Sequence, residues 1–119
     1  FPISITRFEA KKAKIELEKQ GFKIGIANVL WIKPFKINKD WEKAIINSKF
    51  GGIVLDDDYT DGVGSNLAYE IMKKTGKKIE TMGLKDRSAG FSKTTDNLPP
   101  NCSEIVEKVK TILKNRINI

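Results

Sequence analysis

Histidine is absent from this sequence. That removes the usual proton-transfer base near neutral pH and every Ser-His or Cys-His nucleophile pair. Cysteine occurs once, as Cys102. A lone thiol cannot close an internal disulfide, which suits a reducing cytoplasmic setting. Cys102 falls at an expected helix start, where a thiol pKa can drop, yet beside a cap residue it reads more simply as filler. Arginine is scarce, with only Arg7, Arg87 and Arg116, although arginine makes most forked contacts to bases and phosphates. No apolar run approaches the ~20 residues that cross a bilayer. The opening Phe1-Pro2-Ile3-Ser4 has neither the basic start nor the apolar stretch of a secretory signal. A chain starting at Phe1 without methionine reads as a fragment or a processed piece.

What is present fits one α/β domain of 119 residues, 39% hydrophobic and 31% charged. A chain of that size buries roughly two-thirds of its unfolded surface. The net charge of +7 comes from dispersed lysines. Lys11, Lys12, Lys14 and Lys19 form one group, Lys73, Lys74, Lys77 and Lys78 another, and Lys108, Lys110 and Lys114 a third. Each group lies on the polar side of an expected helix or near its end. The dispersal reads as solvated helix faces, with no nucleic-acid or membrane partner.

Four parallel strands alternating with four helices can be traced. Residues 3–5 form a short apolar strand. Thr6-Arg7-Phe8-Glu9 has capping-box spacing, with Thr6 as N-cap and Glu9 reaching back. That helix runs to Gln20, and Gly21 stops it. Residues 22–31 make the second strand, which Pro34 bars from continuing. A second helix follows Asn38 and carries Trp41, Ala44 and Ile45. Residues 53–55 make the third strand, and a helix opens at Ser65 or Asn66 and ends at Gly76. The fourth strand spans 78 to 82 or 84. A loop rich in Gly, Ser, Thr, Asn and Pro runs from 85 to 100. Asn101 and Glu104 repeat the capping-box spacing, and Ile105, Val106, Val109, Ile112 and Leu113 draw an apolar helical stripe.

Short joints between parallel strands imply right-handed crossovers, helices on both sheet faces and a three-layer α/β/α fold. The expected strand order is 2-1-3-4. Its switch point falls between the first and third strands, where open α/β sheets bind ligands. Thr6, Arg7, the Asp56-Asp57-Asp58 run and the Gly62-Val63-Gly64-Ser65 loop would line it.

That glycine loop could hold an anion at a helix N-terminus. It lacks the lysine of a P-loop, and the dinucleotide fingerprint fails at Ala68. It reads first as a tight turn with glycines at positive φ, and Gly62, Gly64 and Ser65 stand second as an anion or regulatory loop. Three aspartates could ligate magnesium, but the partner acids are missing, since Thr6-Arg7-Phe8 follows the first strand. They read as strand-end carboxylates in solvent, with no metal.

Four motifs in register resemble the C-terminal domain of the transketolase family. They are Trp31-Ile32-Lys33-Pro34-Phe35, then Val54-Leu55-Asp56-Asp57-Asp58-Tyr59 with Gly62-Val63-Gly64-Ser65, then Gly83-Leu84-Lys85-Asp86-Arg87, then Leu98-Pro99-Pro100-Asn101. The match covers nearly the whole of 1–119. The same domain closes the β subunit of 2-oxoacid dehydrogenase first components and deoxyxylulose-phosphate synthase. The resemblance implies a parent enzyme using thiamine diphosphate and magnesium, held between two other domains absent here. This domain would carry no cofactor and no catalytic residue. Its partners would be other domains or subunits, in a homodimer or an α/β assembly. Arg7-Phe8 stands where the family usually has a glycine, and the family's antiparallel edge strand would precede Phe1. Trp31, Phe35 and Trp41 are candidate interface residues, or they cover the sheet face. The alternative to an assembly domain is a stand-alone flavodoxin-like module for an anion or a partner.

Overall fold

A computed structural model describes residues 1–85, 93 and 98–117, with residues 116 and 117 as backbone only. The elements are α1 (Thr6–Lys19), α2 (Lys39–Ile46), β1 (Gly52–Tyr59), α3 (Val63–Thr75), β2 (Ile79–Leu84) and α4 (Cys102–Ile117). The α/β character and all four helices match the expectation.

The sheet is smaller than expected. β1 and β2 pair in parallel, Gly52 opposite Ile79 and Leu55 opposite Met82, with an irregularity before Tyr59 meets Leu84. The other two expected strands contribute only single bridges, Pro2 to Leu55 and Ile3 to Val29, both parallel. Val29, residues 2–3, β1 and β2 therefore lie side by side in the expected order, but only two are full strands. The reason is local. Pro2 has no N–H to donate. Ser4 sits at φ 55 and Ile5 is already right-handed at φ −67, so the chain leaves the sheet after Ile3. What pairing there is holds through backbone bonds from Ile3 N to Leu55 O (2.8 Å), Leu55 N to Phe1 O (3.0 Å) and Val29 N to Pro2 O (3.1 Å).

Side chains alternate across this sheet. Val54 joins Ile3, Val29, Ile45, Leu67, Ala68, Ile71 and Ile79 on the face covered by α2 and α3. Leu55 points the other way, into Ala10, Ala13, Leu17, Ile105 and Val106 under α1 and α4. Helices thus cover both faces. Residues 22–26 follow the same period: Phe22, Ile24 and Ile26 pack toward α1 and α4, while Lys23 and Gly25 are exposed.

Helix ends show where local and tertiary forces part. Asn38 caps α2, its Oδ1 accepting from Trp41 N at 2.9 Å. Asn101 Oδ1 accepts from Glu104 N at 2.9 Å. Gly21 (φ 88) and Gly76 (φ 67) take the left-handed conformation past α1 and α3, where a Cβ would be penalised. The expected capping box of α1 does not form. Thr6 lies inside the helix, which has Ile5 at its N-cap and no side-chain cap. The Thr6 hydroxyl donates to Ile3 O (2.5 Å) and Leu55 O (3.2 Å). Glu9 reaches outward instead, and its Oε2 accepts the Cys102 N–H at 2.8 Å. One helix supplies the N-terminal acceptor of another, which stabilises both the end of α4 and the α1–α4 seam.

Candidate functional site

Two places gather chemistry-bearing side chains. The first is the acidic end of β1. Asp56 is buried, at 4% exposure, and does not face solvent as the sequence suggested. Its Oδ1 accepts from Asp58 N and its Oδ2 from Gly64 N, both at 3.1 Å. Burial pushes the Asp56 carboxyl above its ordinary value; the two amide bonds pull the other way, and the neighbouring Asp57 charge adds to the rise. Asp57 is half-buried and Asp58 exposed. Among the described residues no group of three or more His, Cys, Asp or Glu is placed to hold a metal ion.

The glycine loop is built differently from the expectation. Helix α3 opens at Val63, not at Ser65 or Asn66, with Gly62 as its N-cap at φ −99. Neither Gly62 nor Gly64 has a positive φ. Closeness is the physical reason for these glycines. A Cβ on Gly62 would lie 3.2 Å from Tyr59 O, and one on Gly64 would lie 3.4 Å from Asp56 Oδ2. Ser65 Oγ donates to Thr60 O at 2.6 Å. The Gly64 amide that an anion would use is thus already given to the chain's own carboxylate, which also lends negative charge to the positive end of α3.

The second place is the opposite edge of the sheet. Leu30, Trp31 and Ile32 are 75%, 76% and 41% exposed. Leu30 and Ile32 join Ser4, Arg7 and Asn28 around a cleft of about 270 Å³. Compared with known proteins, this chain matches no family model and no curated protein.

The expected switch-point residues separate here. Thr6 is buried, with its hydroxyl engaged. Arg7 turns outward, lines the cleft and lies 4.8 Å from the Phe8 ring centroid. The expected interface trio separates too. Trp31 is exposed. Phe35 and Trp41 are partly buried against the α2–α3 core, with the Trp41 ring 6.2 Å from that of Phe1. Asp86 and Arg87 of the third family motif lie outside the described residues, as does most of the loop from 85 to 100.

Sequence reasoning took in Ile32 only as part of the Trp31–Phe35 motif and passed over Leu30, Ser4 and Asn28. A signal existed for Leu30 and Ile32. Val29-Leu30-Trp31-Ile32 is an unbroken apolar run, whereas the preceding residues alternate. A chain leaving a sheet cannot bury both of its faces, so such a run must show one to solvent.

Proposed function

We propose that this chain is an assembly domain: a non-catalytic unit that holds partner domains or subunits through its exposed Leu30–Ile32 edge. The observation carrying this reading is the contrast in use. Asp56, Ser65, Thr6 and Glu9 are spent on helix ends and turns, while Leu30 and Trp31 stand three-quarters exposed. Large exposed apolar side chains in one patch mark interaction surfaces.

The resemblance to the transketolase C-terminal domain supplies the parent: a cytoplasmic thiamine-diphosphate transferase or 2-oxoacid dehydrogenase, as a homodimer or α/β assembly. The 2-1-3-4 order of parallel segments supports that fold without being unique to it. Thiamine diphosphate and magnesium would be held by other domains. The coding sequence upstream of Phe1 tests the parentage: a pyrimidine-binding domain there supports it, and an unrelated domain removes it. Titration calorimetry with thiamine diphosphate and magnesium tests the non-catalytic assignment. Heat beyond dilution, saturating with cofactor, would sink it.

A further inference from the structure

We propose that the outer edge of residues 26–32 accepts one more strand, and that its occupant is an acidic segment of a partner protein with alternating apolar side chains. This rests on the reading of that edge as an interface, and adds the chemistry of the partner.

Backbone geometry comes first. The Val29 N–H points inward, to Pro2 O. In an extended chain the neighbouring N–H groups point the opposite way, so those of Asn28 and Leu30 face away from the sheet. Among the described residues, no backbone or side-chain acceptor takes the N–H of residues 23–28 or 30–32. One carbonyl is covered: Ile24 O accepts from Lys14 Nζ at 2.7 Å. A lysine reaching over an edge blunts it. Beyond Ile24 no described residue does so, and that part coincides with the exposed apolar run.

Charge then selects the occupant. Between Phe22 and Lys39 the chain holds Lys23, Lys33 and Lys36 and no carboxylate. Some lysines elsewhere find acids, Lys12 with Glu9, Lys14 with Glu18, Lys73 with Glu70 and Lys108 with Glu80. Others such as Lys11, Lys19 and Lys43 do not among the described residues, but those have carboxylates nearby in sequence. No ion pair engages Lys23, Lys33, Lys36 or Arg7 among the described residues. A second copy of this edge would bring its own lysines against these. Antiparallel pairing centred on Asn28 would set Lys23 directly opposite Lys33, which destabilises a cross-strand pair. An acidic strand meets complementary charge instead.

The cleft supplies the specificity. Its volume of about 270 Å³ lies just below the ~300–1,000 Å³ of small-molecule sites, a size suited to an apolar side chain presented by a strand. The cleft lies between residues 2–4 and 28–32, and the exposed Leu30, Ile32 and Arg7 belong to its lining, Arg7 offering a charge to a carboxylate. This is strand addition: backbone bonds give affinity and a side-chain pocket gives selectivity.

The test uses the 119-residue chain and a fluorescein-labelled synthetic peptide alternating glutamate with valine, with a central leucine. Anisotropy should show saturable binding that weakens with added salt, and amide exchange should slow at residues 26–32. Leu30→Pro, which removes an outward N–H, should weaken binding by ~10-fold or more. Should that variant fold poorly, the exposed pair Arg7→Glu with Lys33→Glu should produce a comparable loss without touching the core. Equal binding of the lysine-for-glutamate peptide, or of polyglutamate, would overturn the proposal. Dimerisation of the chain with protection at 26–32 and no peptide binding would overturn the acidic partner and keep the interface. Binding to phosphatidylserine vesicles that the peptide cannot compete away would assign the edge to a membrane instead. With no peptide binding, no dimer and no vesicle binding, both the proposal and the interface reading fall.

Discussion

Two stretches of apolar sequence meet opposite fates in this molecule. β1, α3 and β2 form a closed unit in which Val54 and Ile71 are fully buried and the two strands pair through most of their length. Residues 22–32 carry a similar density of apolar side chains, yet hold to the sheet through one backbone bond at Val29. Hydrophobic content alone does not separate them. What differs is the neighbour. β1 has a six-residue partner strand, whereas residues 22–32 face a segment that turns into a helix after Ile3. A strand is as much a property of what lies beside it as of its own residues.

Core truncation gives the largest test of that difference. Ile71→Ala should cost about 2–5 kcal/mol, as for other buried Ile and Leu truncations, and shift the urea midpoint accordingly. Leu30→Ala should stay within about 0.5 kcal/mol. Equal losses would mean that residues 22–32 are as firmly packed as β1–α3–β2.

Glycines sharpen the comparison. A Cβ on Gly83 of β2 would sit 2.5 Å from Asp58 O and 2.9 Å from Thr60 N. Both are backbone atoms that cannot swing aside, so Gly83→Ala should destabilise by about 1–3 kcal/mol. A Cβ on Gly25 would meet nothing within 4 Å, and Gly25→Ala should be neutral within about 0.5 kcal/mol. Thermal melts of the two variants decide this. Gly64→Ala belongs between them, because its nearest contact would be the 3.4 Å approach to Asp56 Oδ2 and its φ is not positive.

A smaller effect separates two carboxylates by the sign of their pH response. Asp56 is raised in the folded state, chiefly by burial. The folded chain therefore holds its proton more tightly than the unfolded chain, and stability is lost as pH climbs from the ordinary aspartate range through the raised value. Asp56→Asn should remove that decline. Glu9 is lowered, first by its bond to Lys12 and then by the Cys102 amide. Its contribution is present above the ordinary glutamate range and lost as pH falls through the lowered value. Glu9→Gln should flatten that acid-side loss and speed exchange of the Cys102 amide. Melting temperatures against pH for the two variants should diverge in opposite directions; parallel curves would refute the assignment. The smallest expected effect is that of Trp31→Ala, within about 0.5 kcal/mol for a side chain 76% exposed.

Helix stops and two helix starts were legible in the sequence because their causes are local. Gly21, Gly76, Asn38 and Asn101 each act within a few residues of themselves. The order of the parallel segments was legible as well, since short strand–helix joints leave few topologies. Thr6 and Glu9 misled because their spacing satisfies a local rule while their partners, Leu55 and Cys102, lie far along the chain. Asp56 misled for another reason: its partners, Asp58 and Gly64, are near in sequence, but three adjacent aspartates look solvated until strand alternation turns one inward. Of the candidate residues, Trp31 is the exposed aromatic. Phe35 and Trp41 could not be told apart from it, because nothing local says which aromatics the α2–α3 core takes up.

The place of residues 1–3 in the middle of the sheet sets an order of events during synthesis. Val29 joins through Pro2, and Pro2 lies against Leu55, so residues 1–3 lack their sheet neighbour until β1 arrives. Until then residues 22–32 have no seat, and their apolar side chains stay open to whatever the nascent chain meets. Long-range pairing of this kind folds slowly, because a wide loop must close before any contact rewards it. The segment proposed to bind a partner thus waits for its own sheet neighbours to arrive from further along the chain.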